Sequence, residues 1–258
     1  MTYNSAYRKK NMSKRRSRRP ARRGGRKSSV ASVTRIVKSQ LAKAIEKKTA
    51  DPVFTPAGQD IEFGASLSAG NAGFQALDIN PVIPQGVGQA MRIGNRVGIT
   101  SGHMQIQLNG MSNQFNAIPY KIMIILRKNV STSESPNTTV KNFFLPNPFT
   151  GLIDSNSSQN VNQRANYSIV RMSRGVLPAA KTTEITGGGG NQPATGSRLV
   201  KMGFKFKSPL IQRYNDDNST LSTRNDMILV FLAGNDSNVQ SSTAISCKFY
   251  FDSYFQDA

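Results

Sequence analysis

The sequence predicts an all-β fold, a two-sheet sandwich of about eight strands behind a basic arm and a helix. Three observations predict it. Most apolar segments after residue 50 alternate with period two, the segments between them are rich in Asn, Ser, Thr and Gly, and the positive charge is gathered at one end. The chain has 258 residues, 34 Lys and Arg against 14 Asp and Glu, and a net charge of +20. Residues 1–48 hold seventeen of those cations and one acid, Glu46, so they carry +16 and leave +4 for the remaining 210 residues. The body is therefore a near-balanced globular domain, long enough for one sizeable core.

The first element, residues 1–27, is an arm. Arg8, Lys9, Lys10, Lys14, Arg15, Arg16, Arg18, Arg19, Arg22, Arg23, Arg26 and Lys27 place twelve cations in twenty positions with no carboxylate. Like charges repel, and almost no apolar surface offsets the entropy of ordering the segment, so it is expected to be disordered alone. A polycation of this density selects a polyanion, and phosphates with their releasable counterions are the expected partner. Tyr3 and Tyr7 are candidates for stacking on bases. The block is too dense and too little amphipathic for a mitochondrial transit peptide, and it lacks the apolar stretch of a secretory signal.

Residues 28–50 form the second element. Val30, Val33, Val37, Leu41 and Ala44 or Ile45 share one helical stripe, with Arg35, Lys38, Lys43 and Lys47 mostly off it. Ser28 or Ser29 is a candidate cap, Lys47 and Lys48 suit the negative C-terminal end, and Asp51-Pro52 stops the helix. A helix over 28–48 is roughly 30 Å long. It either packs its stripe on the following domain or reaches toward nucleic acid. A membrane-surface role lacks the large aromatic residues expected of one.

The third element is the domain 51–258. Ile61–Leu67, Phe74–Ile79, Val97–Ile99, Met104–Leu108, Tyr120–Leu126, Tyr167–Met172, Val200–Phe206 and Ile245–Phe251 read as strands, most of them half-buried. Met227–Leu232 is continuously apolar, as a strand covered on both faces would be. Residues 131–139, 146–163, 181–197 and 214–225 read as long loops, which usually carry contacts or function. Strands joined by such excursions fit a jelly roll better than a tight up-and-down barrel.

Catalytic chemistry is thin. His103 is the sole histidine, so any Ser/His/Asp or Cys/His arrangement has to use it, and at the start of a strand it reads as a structural or surface residue. With Cys247 the sole cysteine, a structural zinc site lacks its ligands and no metal is expected. Cys247 sits on the apolar side of its strand, reads as a small buried hydrophobe, and excludes an internal disulfide. Asp216, Asp217 and Asp226 flank one loop, where calcium is weighed against a solvated turn. Gly187–Gly190 lacks the Lys-Ser/Thr tail of a phosphate loop and reads as a linker. No apolar run reaches the ~18 residues of a membrane span. No enzyme, cofactor or small-molecule substrate is expected.

Some segments carry a resemblance. ArgIleGlyAsnArgValGlyIleThrSer (92–101), MetGlnIleGlnLeuAsnGly (104–110), TyrLysIleMetIleIleLeuArgLys (120–128), AsnValAsnGlnArgAlaAsnTyrSerIleValArgMet (160–172) and LysPheTyrPheAspSerTyrPhe (248–255) recur in order behind the arm. The layout resembles the single jelly-roll capsid proteins of small circular single-stranded DNA viruses that encode a replication initiator, the circovirus-like group. The resemblance implies a shell of about sixty copies with triangulation number one. It also implies an inward-facing arm that packages the viral genome, single-stranded DNA ahead of RNA, and assembly in the host nucleus before release in the virion. Lys14, Arg15, Arg16, Arg18 and Arg19, with Arg8–Lys10, are then candidates for a nuclear import signal read by an import receptor. Lys201, Lys205 and Lys207 share one strand face and are candidates for lining the interior. Phe143, Phe144, Leu145 and Phe149 either make shell contacts or plug their own domain. The competing expectation, a ribosomal or chromatin-type protein with a basic tail, requires basic and aromatic residues clustered on the body.

Overall fold

A computed structural model describes residues 33–35, 37, 47–55, 60–63, 73–110, 117–128, 134–178, 181–182, 193–194, 196–215, 224–234 and 245–257. The chain divides into two compact units, Met1–Ala44 and Ile45–Ala258. In the first, residues 33–35 and 37 are helical, in line with the stripe read there; the arm 1–27 and the rest of that helix up to residue 46 lie outside the described residues. The predicted helix extends too far at its C-terminal end. Lys48 belongs to a strand, because its ammonium is needed in a buried ion pair at the sheet edge.

The second unit is built from antiparallel strands. β1 (Lys48–Thr49), β2 (Val53–Phe54) and β3 (Ile61–Phe63) pair in succession along β14 (Ile245–Asp257), so Lys48–Phe63 acts as one broken edge strand. β14 pairs on its other side with β5 (Arg96–Gly110), and β5 pairs with β12 (Ser197–Arg213). The second sheet runs β4 (Phe74–Asp78), β13 (Asp226–Ala233), β6 (Ile118–Arg127) and β9 (Tyr167–Leu177). Following the chain through these eight runs, every connection changes sheet except the one from β6 to β9. Two short ladders decorate the connections, β7 (Phe144–Leu145) with β8 (Ser158–Gln159) and β10 (Lys181–Thr182) with β11 (Pro193–Ala194).

The period-two pattern sets the layers. Met104, Ile106 and Leu108 of β5, Val200 and Met202 of β12, and Cys247, Phe249 and Phe251 of β14 turn inward. They meet Ile122, Ile124, Met227, Leu229 and Phe231 from the other sheet. Phe231 is fully buried with its ring 5.1 Å from that of Phe63. Burying a side chain of this size contributes about 1.5–3 kcal/mol. Val97–Ile99 and Met104–Leu108 belong to a single long strand, which the sequence splits at the polar stretch Thr100–His103.

The outer face of the second sheet is covered as well. Met123, Ile125, Ile228, Val230 and Leu232 pack against Val140, Phe143 and Phe144. That is why Met227–Leu232 shows no alternation. The cover is a helix, Pro136–Phe143, which begins inside a stretch the sequence assigns to a loop. Ser135 caps it, its Oγ accepting from the Thr138 amide at 3.2 Å, and Pro136 occupies a first-turn position whose missing N–H costs nothing. The Glu134 carboxylate accepts from Thr139 Oγ1 at 2.9 Å and from the Tyr167 hydroxyl at 2.8 Å. Burial, reinforced by the bond to Glu134, pushes the Tyr167 pKa up. At the end of the sheet Arg127, almost fully buried, donates to Asp78 at 3.0 Å, to Asp226 at 3.3 Å and to the Glu134 carbonyl at 2.6 Å.

Gly175 is dictated by the sandwich edge. A Cβ there would stand 2.7 Å from the Tyr120 hydroxyl and 3.2 Å from Arg198 Nη1. Arg198 closes this end, its guanidinium 5.8 Å from the Tyr120 ring and donating to the Val176 carbonyl at 3.1 Å.

Candidate nucleic-acid interface

The chemistry that seeks phosphate is concentrated in Arg8–Lys27, which lies outside the described residues together with Tyr3 and Tyr7. The root of that segment is described. Lys48 is 3% exposed, and its Nζ lies 2.7 Å from Asp257 Oδ2 and donates to the Met91 carbonyl at 3.0 Å. Asp257 Oδ1 accepts from the Ile93 amide at 2.9 Å. One carboxylate at the end of the last strand thus fixes both the entry of the chain into the sheet and the loop before β5. The same loop is held by Arg92, fully buried, with its guanidinium 4.3 Å above the Tyr214 ring and donating to Asn95 Oδ1 at 3.0 Å and to the Gly94 carbonyl. Burial raises the Tyr214 pKa to about 12, the nearby Arg92 charge opposing the rise.

Chain entry occurs on the sheet that carries the body's predicted basic residues. Lys201, Lys205 and Lys207 are exposed on the face of β12 directed away from the core. The register gives two rows across that face. Lys201 lies beside Gln105, then Tyr250, then Phe54, and Lys205 lies beside Ser101, then Tyr254, then Thr49. Strands are about 4.8 Å apart, so each lysine stands about 10 Å from its tyrosine. Tyr250 and Tyr254 are 42% and 41% exposed and Phe54 is 58% exposed. The alternation in Lys248–Phe255 contains the signal for this: Phe249, Phe251 and Phe255 face in, leaving Lys248, Tyr250, Asp252 and Tyr254 out. Nothing in the sequence pairs those tyrosines with lysines 45 or more positions earlier; only the register does.

Carboxylates offset part of the charge on this face. Lys248 pairs with Asp60 at 3.3 Å, and Asp252 lies between the two tyrosines. The Tyr250 hydroxyl bonds Asp252, which raises its pKa. Unlike the arm, this surface intersperses its lysines with aromatic rings, amides and carboxylates.

The remaining candidates resolve simply. His103 is exposed on the same face, opposite Gly203 and Asp252. Cys247 is buried, and burial pushes its thiol pKa far up, the opposite of an activated nucleophile. Asp226, weighed as a calcium ligand, is instead an ion-pair partner of Arg127, while Asp216, Asp217 and Gly187–Gly190 lie outside the described residues. Phe143 and Phe144 fill their own domain, whereas Leu145 and Phe149 are 46% and 95% exposed. No described helix is long and apolar enough to cross a membrane. No protein-family model matches the chain, and no curated protein matches it.

Proposed function

We propose that this protein is the structural subunit of a small icosahedral capsid, which assembles from copies of itself and packages its genome through the arm. The segregation of charge carries the reading: +16 resides in residues 1–48, while the antiparallel body that follows is almost neutral. With about sixty copies, a shell displays on the order of a thousand positive charges, enough to neutralise a comparable number of phosphates by counterion release. Binding is sequence-independent, because an Arg/Lys arm contacts the phosphate backbone.

The body is read as an eight-stranded jelly roll. Counting Lys48–Phe63 as one strand, its sheets run first-eighth-third-sixth and second-seventh-fourth-fifth in chain order. That order is two interlocked Greek keys, which supports the jelly roll over an up-and-down barrel. The exposed loop residues Phe149, Val87 and Ile93 supply apolar surface for contacts between copies. The role is non-catalytic. The genome is single-stranded DNA in preference to RNA, Lys14–Arg19 is read by an import receptor, and the protein passes through the nucleus to the virion. Lys201, Lys205 and Lys207 line the interior.

The test is expression of the full chain followed by size-exclusion chromatography, negative-stain microscopy and nuclease digestion. Hollow or filled shells about 20 nm across that protect nucleic acid are expected. A monodisperse monomer that binds nucleic acid at every salt and pH tried contradicts the capsid reading and favours a tailed nucleic-acid-binding module.

A further inference from the structure

The outer face of the second sheet holds a pairing that is unfavourable as it stands. Lys121 of β6 and Arg174 of β9 are directly opposite each other in the register. Like charges in that relation destabilise a sheet, and side chains this long normally splay apart into solvent. Here both line the same pockets. One, of about 410 Å³, is lined by Lys121, Arg164 and Arg174 together with Ser157, Ser158, Gln159 and the exposed Met172. A second, of about 440 Å³, continues from Lys121 and Arg174 past Ser155 and Asn156.

The three cations outweigh the one carboxylate whose charge acts on Lys121, Asp154. None of them forms an ion pair among the described residues, and Lys121 Nζ has only the Ser157 carbonyl, at 3.4 Å. Asp154, a buried acid in the loop that makes the rim, offsets part of the charge on Lys121, while its oxygens also accept from Asn147 at 2.8 Å, from Thr150 at 3.3 Å and from the Asn156 amide at 2.7 Å. Burial lowers the Lys121 pKa, Asp154 opposes the fall and Arg174 adds to it. The site therefore holds a half-buried ammonium and two exposed arginines lining one concavity with hydroxyl and amide groups. A bound anion would convert the repulsion into attraction.

We propose that Lys121, Arg164 and Arg174 form a binding site for a tetrahedral oxyanion, the phosphate or sulfate group of a small ester whose remainder lies over Met172 and the Ser157–Gln159 rim. The guanidinium groups supply paired N–H donors that match two oxygens of such a group, and Lys121 supplies a point charge. The volume exceeds what the ion alone needs and falls within the range of small-ligand pockets. This site does not depend on the capsid reading, because it lies on the body and uses no residue of the arm.

The test uses the full-length chain and an Arg174→Gln variant in chloride buffers of matched ionic strength, titrated with inorganic phosphate, inorganic sulfate, ribose 5-phosphate and glucose 6-sulfate. Thermal melting and calorimetry are the readouts, and Lys141→Gln, at an exposed helix position that lines neither pocket, controls for general loss of charge. Before any oxyanion is added, Arg174→Gln is expected to melt higher than the unmodified chain, since it removes the repulsion. On titration the unmodified chain and Lys141→Gln should gain melting temperature saturably, and Arg174→Gln should bind at least tenfold more weakly. Tighter binding of the phosphate ester or of the sulfate ester identifies the carrier. Equal stabilisation of all three proteins by the oxyanions, or none beyond that of chloride, overturns the proposal. If Arg174→Gln fails to fold, Arg164→Gln on the exposed turn serves in its place with the same two outcomes.

Discussion

Replacing Arg127 by Met should cost about 3–5 kcal/mol, the range for removing one member of a buried ion pair. Arg127 and Asp226 are 5% and 6% exposed, and their atoms lie 3.3 Å apart, so deleting the guanidinium leaves the Asp226 carboxylate buried without its cation. Asp78, the second partner, is 54% exposed and simply rehydrates, adding at most about 1 kcal/mol. The Glu134 carbonyl loses a charged donor at the N-terminal edge of the covering helix. For a body of this size each kcal/mol moves the midpoint by about 2–4 °C, giving a fall of roughly 10 °C. Urea unfolding in high salt, which screens association through the arm, is the assay. The double replacement Arg127→Met with Asp226→Leu should recover most of the loss, because well-packed apolar side chains commonly substitute for a buried pair. A loss below about 1 kcal/mol for Arg127→Met, or no recovery in the double variant, refutes the assignment of this pair as a buried one.

Other perturbations read other parts of the molecule. Tyr214 titrates higher in the fold than in the unfolded chain, so its contribution to stability is intact below pH 10 and is lost as the pH rises to about 12, by about 3 kcal/mol. Tyr214→Phe should abolish that alkaline loss in urea titrations at pH 9 and 11.5, and an unchanged slope contradicts the burial argument. Phe231→Ala should cost about 3–5 kcal/mol by opening a cavity, whereas Phe149→Ser should leave the monomer's stability within about 0.5 kcal/mol while lowering assembly yield. Deleting residues 1–27 removes twelve cations and should lower the salt slope of single-strand binding by up to about 8, with the melting temperature of the body unchanged. Filter-binding between 50 and 200 mM salt measures it; an unchanged slope assigns the binding elsewhere.

Much of the fold is legible in the chain because period-two burial is a local signal. Lys201, Lys205 and Lys207 against Val200 and Met202 define the two faces of β12, and the unbroken Met227–Leu232 run identifies a strand covered on both sides. The helix Pro136–Phe143 is harder to see. Its Ser135-Pro136 start is a recognisable cap, but only Val140 and Phe143 mark its buried face, and Asn and Thr are weak helix formers. Its stability comes from packing on the second sheet, which no local pattern encodes. Register is likewise non-local. Lys121 and Arg174 are 53 positions apart, and neither is distinctive until β6 and β9 align them. The Phe143–Phe149 cluster shows the same limit, since the turn after Pro146 turns Phe149 outward while Phe143 and Phe144 stay in the core.

The central claim, that the protein works as many copies in a closed shell, is tested most directly by the mass of the assembled particle. At 28.2 kDa per chain, about sixty copies give a protein shell of about 1.7 MDa, with any packaged nucleic acid adding to it. Native or charge-detection mass spectrometry before and after nucleic-acid removal should therefore find one discrete species near that protein mass. A chain that remains at 28.2 kDa, or one that forms only heterogeneous complexes whose mass follows the length of added nucleic acid, would contradict it.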